Sequence, residues 1–235
     1  MKLIEITPRD IGMYDDIAES MARSYQIAFS GKPWFEASRC INEVCSKGFC
    51  EYAAGSSCPS CTEMLVEAYD TNDLTIDWRN MLLNEDAFME VALNQNNEVV
   101  STTIARPTSR EELILRKYTD DESMMEWVDD NLPRNFTWIE DTFANRNLQT
   151  SGNLAQRGRT LARIALRYCG NDIATRTIEP RVIGATARDV GQYTDMYRGT
   201  NSLELRNDNV EQMRSIGSVP DWRTVLMVDG KGLTA

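Results

Sequence analysis

A strand-like segment followed by an amphipathic helix does most to limit the folds open to this chain. Residues 136–143 have the composition typical of a strand. Beyond them, apolar side chains recur at the i, i+3, i+4 and i+7 spacing of one helix face, at Leu161, Ile164, Ala165 and Tyr168. Residues 178–187 are typical of another strand. A helix that crosses between two strands predicts a βαβ unit, so part of the sheet is expected to be parallel.

The remaining segments predict further elements around this unit. Strands are expected at residues 3–6, 88–94, 98–104 and 221–228. Helices are expected at residues 10–30, 63–69, 77–83, 109–118, 122–131 and 189–198. The turn at residues 95–97 predicts a hairpin, and Ser109 is a candidate helix cap.

Residues 156–162 stand where the amphipathic helix is expected to begin. Small residues and arginines at the mouth of a helix leave backbone N–H groups facing outward. Such a helix end attracts pyrophosphate through its unpaired donors and the positive end of the dipole. The alternative is an ordinary strand–loop–helix join whose arginines are solvated. The segment alone leaves both interpretations open.

The charge distribution favours an anionic ligand in the same region. Residues 146–176 contain six arginines and one acid, a net charge of +5, whereas the rest of the chain sums to −16. A cationic island in an acidic protein is where an anion is expected, and arginine binds phosphate oxygens bidentately. The acidic remainder fits a cationic acceptor, although acidity also serves solubility. It argues against a nucleic-acid backbone as the main partner.

The chain contains no histidine. This excludes histidine general bases, Ser–His and Cys–His nucleophile pairs, and every metal site that needs an imidazole. Acid–base chemistry must therefore use carboxylates, tyrosine, cysteine, lysine or water. No apolar run approaches the ~18 residues of a membrane span, and the first residues lack a signal-peptide core, so we expect a cytoplasmic protein without a membrane partner.

Five of the six cysteines are clustered within 22 positions. Cys58-Pro59-Ser60-Cys61 forms a turn in which two thiolates can reach one metal, and zinc in an all-cysteine site needs two further ligands. Clustered cysteines in a cytoplasmic chain favour a metal over a disulfide staple or reduced buried thiols. Three cysteines compete for the two remaining positions. Cys169 lies outside the cluster and is interpreted as a buried thiol.

Residues 156–162 resemble the acyl-CoA pyrophosphate loop of the GNAT superfamily of N-acetyltransferases, whose pattern is Arg/Gln-x-x-Gly-x-Gly/Ala. The matching residues are Arg157, Thr160 and Ala162, with Thr160 in place of the family's glycine. Residues 138–144 resemble the family's fourth strand, and residues 189–199 its fourth helix, which usually carries a tyrosine. In the order of its elements, the resemblance covers most of residues 85–228.

The resemblance implies an α/β fold with a mixed, partly parallel central sheet flanked by helices, and acetyl-CoA as cosubstrate. It implies pyrophosphate binding by Arg157, Gly158, Arg159, Thr160, Leu161 and Ala162. The backbone amides of Thr142, Phe143 and Ala144 are expected to pair with pantetheine as an added strand does, and to polarise the thioester carbonyl.

The catalytic candidates are a strand carboxylate and a helix tyrosine. Because strand side chains alternate, one of Glu140 and Asp141 is expected to face inward, where a carboxylate can take a proton from an ammonium group. The resemblance favours Glu140 as this base. It favours Tyr197 as the proton donor to the leaving thiolate, with Tyr193 as the fallback. The alternatives are that both carboxylates pair with arginines and that the tyrosines are packing residues.

Residues 33–40 resemble the entry to cysteine-rich inserts in some GNAT-like proteins, and residues 45–49 resemble the first knuckle of a zinc ribbon. These resemblances imply a zinc-ribbon-like insert after the first helix, with Cys50 as a reserve ligand. The implied zinc ligands are Cys40, Cys45, Cys58 and Cys61. We predict an acyltransferase-like domain of residues 1–31 and 67–235, interrupted by a zinc-binding insert of residues 32–66.

The resemblance implies an N-acyltransferase that moves an acetyl group from acetyl-CoA to a primary amine by direct attack. The acceptor is expected to be a cationic small molecule or a lysine side chain. The alternative is a non-catalytic protein, in which a zinc-ribbon interaction module stands on a degenerate GNAT scaffold or an acyl-CoA sensor.

Overall fold

The fold was obtained as a computed structural model. The structure describes residues 1–31, 36–45, 48–119, 122–145, 147–148, 153–178, 203–205, 212–216, 219–228 and 230–231. None of the helices in this part of the chain is both long and apolar enough to cross a membrane.

A mixed sheet forms the centre of the molecule. Its strands are β1 (Lys2–Ile6), β5 (Phe88–Leu93), β6 (Val99–Ser109), β7 (Asn135–Ala144), β8 (Ile173–Ile178), β9 (Leu203–Leu205), β10 (Gln212–Ile216) and β11 (Val219–Val228). The order is β1-β5-β6-β7-β8-β11-β10, and β9 also pairs with β11. The β7–β8 pair is parallel, and the other described pairs of this sheet are antiparallel. The expected mixed, partly parallel sheet is confirmed.

Helices cover both faces of this sheet. They are α1 (Ile11–Ser30), α2 (Thr71–Asn84), α3 (Arg110–Leu113), α4 (Glu122–Asn131) and α5 (Asn153–Arg167), with a 3-10 helix at Pro8–Asp10 and a π-helical turn at Ile114–Tyr118. The Ser109 hydroxyl accepts the Glu112 N–H and caps α3 as expected. The helix predicted at residues 77–83 begins earlier, because the Asp70 carboxylate caps α2.

The apolar stripe read from the sequence packs α5 onto the sheet. All four of its residues are buried in one cluster with Phe88, Ala105 and Ile139 of the sheet. On the opposite face, α1 and α2 bury a larger cluster that includes Tyr25, Trp78, Ile104 and Phe143. Since Ile104 and Ala105 are adjacent on β6, the two clusters lie on opposite faces of one strand.

The cysteine-rich insert folds as a second, small sheet. Its strands are β2 (Ser38–Cys40), β3 (Phe49–Cys50) and β4 (Leu65–Glu67), in the order β3-β2-β4. The helix predicted at residues 63–69 is wrong, because this segment pairs with β2 and buries Leu65 beside the cysteines. A zinc-ribbon-like fold of the insert after the first helix is confirmed.

The strand β8 occupies Ile173–Ile178 and begins before the strand predicted at residues 178–187, whose residues 179–187 lie outside the described part of the chain. One further sequence expectation is wrong. Cys169 is exposed and has a positive φ of 56° just after α5. The helix ends before this residue, so its side chain leaves the packed face.

A buried polar contact fixes the register of α5 on the sheet. Glu90 of β5 is 3% exposed. Its carboxylate accepts hydrogen bonds from the Thr160 hydroxyl and the Arg163 guanidinium. A buried carboxylate is stable only with such partners. Thr160, which stands where the resemblance expects glycine, is therefore a packing contact of the helix.

We expect Thr160→Val to destabilise the protein by about 1–3 kcal/mol, because it leaves one acceptor of the buried Glu90 carboxylate unsatisfied. Urea unfolding monitored by circular dichroism measures the change. Thr119→Val is the matched control, since Thr119 is exposed and its hydroxyl donates only to the nearby backbone carbonyls of Ile114 and Leu115 in the described contacts. Equal stabilities of the two variants would contradict this role of Thr160.

Candidate functional site

A β-bulge interrupts β7 at its two adjacent carboxylates. Ile104 of β6 stands opposite Asp141, but the next residue, Ala105, stands opposite Ile139. Glu140 is therefore an extra residue without a cross-strand partner, and the alternation of side chains shifts by one position beyond it. The expectation that only one of the two carboxylates faces inward is wrong, since both contact side chains on the α1/α2 face of the sheet.

Glu140 is held by two cations. Its side chain is 8% exposed, its Oε2 lies 3.5 Å from Nε of Arg106, and its Oε1 pairs with Nζ of Lys117 on the π-helical turn. Lys117 engages Oε1, whereas the contact of Arg106 with Oε2 is an ion pair without a hydrogen bond in the described structure. The structure favours the pairing interpretation for Glu140 over its assignment as the catalytic base.

Asp141 lies in a different environment. Its Oδ2 accepts a hydrogen bond of 3.3 Å from Nε1 of Trp78, and the Tyr25 hydroxyl also donates to it. Burial and then the charge of Glu140 raise the pKa of Asp141 from its ordinary 3.8 to about 7, against the opposing effects of Lys117, Trp78 and Tyr25. A carboxyl group whose pKa lies near neutral pH is suited to accept and release a proton.

β7 and β8 separate beside these carboxylates. Their described ladder consists of two pairs, Thr137 with Ile173 and Trp138 with Ala174. Beyond it, β7 continues along β6 to Ala144, whereas β8 follows β11. Beyond Trp138 the described ladder between β7 and β8 ends, and we call the space between the two strands there the cleft; an unladdered strand edge is where an extended ligand can add to a sheet.

The strand direction decides which backbone amides face this cleft. The N–H of Asn145, just past β7, donates to the Val100 carbonyl of β6 at 2.8 Å. Because N–H groups alternate between the two edges of a strand, the N–H of Phe143 also points toward β6. Those of Thr142 and Ala144 point toward the β8 side. The geometry thus directs two of the three amides predicted for pantetheine into the cleft.

α5 begins earlier than the sequence suggested. It starts at Asn153, so the N–H groups of residues 157–162 are directed at carbonyls one turn earlier. The outward-facing first-turn donors belong to the residues that begin at Asn153. The expectation that residues 156–162 form the mouth of the helix is wrong. Leu154, seven residues before Leu161 on the same stripe, is the sequence signal that places the start earlier.

The side chains of residues 156–162 divide between the sheet and the solvent. Thr160 and Leu161 are buried against the sheet, Ala162 is partly buried and Arg159 is exposed. Arg157 and Gly158 lie in the helix, but the side chain of Arg157 and the burial of both residues are outside the described part of the structure. Pyrophosphate binding by this set stays a prediction, and the burial of Thr160 and Leu161 argues against their share in it.

The cationic island is partly neutralised within the protein. Arg163 pairs with Glu90, and Arg167 lies 3.4 Å from Glu5 and 2.8 Å from Asp86. These ion pairs connect α5 to the sheet and reduce the positive charge that the island offers to an anion. The second catalytic candidate, Tyr197, and its fallback Tyr193 fall on residues outside the described part of the chain.

Four of the clustered cysteines converge on one point. The Sγ atoms of Cys40, Cys45, Cys58 and Cys61 all lie within 4.8 Å of one another. The Cys40–Cys61 and Cys45–Cys58 Sγ distances are 3.5 and 3.7 Å. A disulfide needs about 2.05 Å, whereas a tetrahedral zinc with bonds of about 2.3 Å places sulfurs about 3.8 Å apart. The spacing matches the metal geometry, and the choice of these four over Cys50 agrees with the structure.

Backbone amides stabilise thiolate charge in this cluster. The N–H of Ser60, together with that of Cys61, lowers the pKa of Cys58 to about 7 despite its burial. The N–H of Asn42 also donates to Cys40, although burial and the neighbouring thiols raise the pKa of Cys40 to about 12. Amide donors directed at sulfur favour the thiolates that a metal needs.

The comparisons with known proteins identify the fold. No family model and no curated protein matches this sequence. Among solved structures, it is similar to a spermidine N-acetyltransferase from Vibrio cholerae in complex with CoA and spermine, at 8% identity and a TM-score of 0.53 over 99% of this chain and 98% of that one. A candidate phosphinothricin N-acetyltransferase has 9% identity and a TM-score of 0.50 over 97% and 98%. The chain has the fold of the GNAT N-acetyltransferases. At these identities the likeness establishes the fold alone.

The raised pKa of Asp141 makes the free energy of unfolding depend on pH. The folded state holds this proton up to about pH 7, whereas the unfolded chain releases it near 3.8, so folding binds a proton between these values. The stability that Asp141 contributes is therefore complete below pH 3.8 and is lost as the pH rises through 7. Asp141→Asn removes this dependence.

We expect the difference in the free energy of unfolding between wild type and Asp141→Asn to change by on the order of 2–4 kcal/mol between pH 4 and pH 8. Wild type becomes less stable relative to the variant as the pH rises. Urea unfolding at four pH values measures it. Asp16→Asn, at an exposed acid of α1, is the control and should follow wild type at every pH. Parallel pH profiles for wild type and Asp141→Asn would contradict the assignment.

Proposed function

We propose that this protein is an N-acetyltransferase that moves the acetyl group of acetyl-CoA to a primary amine. One observation carries the proposal: β7 leaves β8 beside a strand carboxyl group, that of Asp141, whose pKa lies near neutral pH. The cleft offers backbone donors to an extended acyl donor, and the carboxylate offers a base for an ammonium nucleophile. The fold shared with N-acetyltransferases supports the same conclusion.

Acetyl-CoA is proposed to lie along the open edge of β7. The pantetheine amides would pair with the strand as an added strand does, using the N–H groups of Thr142 and Ala144 that point toward the cleft. One of these donors would also polarise the thioester carbonyl as negative charge develops on its oxygen. The pyrophosphate is proposed to lie at the first turn of α5, near Asn153, where helix N–H groups face outward.

The reaction proposed is direct attack without an acyl-enzyme. Asp141 takes a proton from the acceptor ammonium, directly or through a water molecule. The neutral nitrogen then forms a bond to the acetyl carbon while the carbon–sulfur bond breaks, CoA leaves as a thiolate, and the nitrogen releases its extra proton to water to give the neutral amide. A proton donor must neutralise that thiolate, and Tyr197 stays the prediction for this role. Cys169, the exposed thiol, follows the C-terminal end of α5, the end away from the cleft.

The acceptor is proposed to be a cationic amine. The chain carries a formal net charge of −11, and this attracts a polycation by long-range steering. The Vibrio cholerae structure of the same fold contains spermine. Polyamines are therefore the first acceptors to test, followed by peptides with a lysine side chain.

We expect Asp141→Asn to lower turnover by about 10²–10⁴-fold, as loss of a general base does, while acetyl-CoA still binds. Release of free CoA thiol with spermidine measures the first effect, and isothermal titration with acetyl-CoA measures the second. Glu98→Gln is the control, since Glu98 lies in the exposed β5–β6 turn and contacts Asn94. Wild-type protein that binds no acetyl-CoA at millimolar concentration would overturn the proposal.

We also propose that the insert binds one structural zinc ion through Cys40, Cys45, Cys58 and Cys61. The four thiols supply a complete tetrahedral set, which leaves no open position for a substrate. The ion would therefore stabilise the three-stranded sheet of the insert and take no part in the acetyl transfer.

We expect purified, reduced protein to contain about one equivalent of zinc, and Cys61→Ser to lose most of it. Metal analysis by atomic emission, paired with a count of reactive thiols before and after chelation, measures both. Cys50→Ala is the matched control, because Cys50 is buried beside the four ligands but is not one of them, and it should retain the metal. Less than half an equivalent in fresh wild-type protein would count against the site.

A further inference from the structure

Asp141 is connected to the cysteine-rich insert by a continuous path of side chains. The Tyr25 hydroxyl of α1 donates to Asp141. The Tyr25 ring packs edge-on against the ring of Tyr69, with centroids 4.9 Å apart. The Tyr69 hydroxyl in turn donates to Glu36, which leads into the first strand of the insert. The path runs from β7 through α1 to the insert without a gap.

Both ends of the insert are fastened to α1 near Tyr25. The N–H of Glu36 donates to the Phe29 carbonyl at 2.9 Å, and the Gln26 side chain donates to the Tyr69 carbonyl at 2.8 Å. Phe49 of β3 stacks on Tyr69 with centroids 5.7 Å apart. The position of the Tyr69 ring therefore depends on the insert on one side and on α1 on the other.

Tyr25 is confined by aromatic rings on several sides. Its ring lies 4.4 Å from that of Phe29, 5.6 Å from Trp78 and 5.0 Å from Phe143, centroid to centroid. Packing this dense leaves the hydroxyl few directions to point. Loss of the hydrogen bond from the Tyr69 hydroxyl to Glu36 would loosen the Tyr69 ring, and with it the Tyr25 ring that packs edge-on against it.

We propose that Tyr25 is a positioning residue for Asp141, and that the metal-bound insert fixes Tyr25 through Tyr69. Metal binding in the insert would then influence the protonation of Asp141 on the central sheet. The inference rests on the proposed role of Asp141 as the base. The effect of Tyr25 on the titration of Asp141 can nevertheless be measured without acetyl transfer.

Four groups facing Asp141 determine how it titrates. Tyr25 of α1 and Trp78 of α2 donate hydrogen bonds to it, Glu140 lies beside it on β7, and Lys117 approaches from the π-helical turn. Loss of the Tyr25 donor removes stabilisation of the carboxylate and moves its titration to higher pH. The Trp78 indole reports this titration because it donates to Asp141 directly.

The experiment is a pH titration of the Trp78 indole ¹⁵N–H signal in zinc-loaded protein, with Trp78→Phe used to assign it. We expect an inflection near pH 7 that is absent in Asp141→Asn. Tyr25→Phe keeps the ring stack and should raise the inflection by about 0.5–1 pH unit. Tyr69→Phe and removal of the metal with a chelator should each move it in the same direction.

Tyr52→Phe is the matched control, since Tyr52 is an exposed tyrosine of the insert and should leave the inflection unchanged. An unchanged inflection in Tyr25→Phe overturns the positioning role. A shift in Tyr25→Phe without a shift in Tyr69→Phe or in chelated protein overturns the coupling to the insert. In the acetyl-transfer assay, Tyr25→Phe should lower turnover at pH 7 with little change in the Michaelis constant for acetyl-CoA. Failure of acetyl transfer in wild type would overturn the proposed function and leave the titration result standing.

Discussion

The arrangement of the candidate site depends on one buried cation, Arg106. Its side chain is 1% exposed and lies 2.6 Å from Glu112, 3.3 Å from Glu85 and 3.5 Å from Glu140. Taking a guanidinium out of water costs several kcal/mol unless carboxylates replace the lost hydration. Since these partners come from α3, from the end of α2 and from β7, satisfying this one charge brings three elements together around β6.

The bulge in β7 follows from the same constraint. Glu140 can reach Arg106 and Lys117 only on the face that already carries Trp138, and the extra residue then lets Asp141 and Phe143 share that face. A regular strand would turn Asp141 toward α5. The ion pairs of Glu140 thus place the second carboxylate among aromatic side chains, where burial and the neighbouring negative charge favour its protonated form.

Periodicity and residue chemistry predicted much of this molecule. The stripe on α5 and the β5–β6 hairpin depend on local spacing, so the sequence alone reveals them. Spacing also revealed the cysteine cluster, whereas the choice of Cys40 and Cys45 over Cys50 came from the resemblance. The choice between Glu140 and Asp141 depends on a bulge. The bulge changes which positions of β7 lie on the α1/α2 face of the sheet: before it these are the even-numbered Phe136 and Trp138, and after it the odd-numbered Phe143. The pairing of Thr160 with Glu90 spans 70 residues, and no local pattern indicates it.

The narrow ladder between β7 and β8 has a consequence for how this fold holds together. In the described part of the chain, two residue pairs join the β1–β7 half of the sheet to the half that contains β8 and β11. A molecule that hydrogen-bonds along the open edge of β7 would complete the missing part of the ladder. The cosubstrate would then be a structural member of the sheet. By mass action, the free energy that holds the two halves of the sheet together would increase with the cosubstrate concentration.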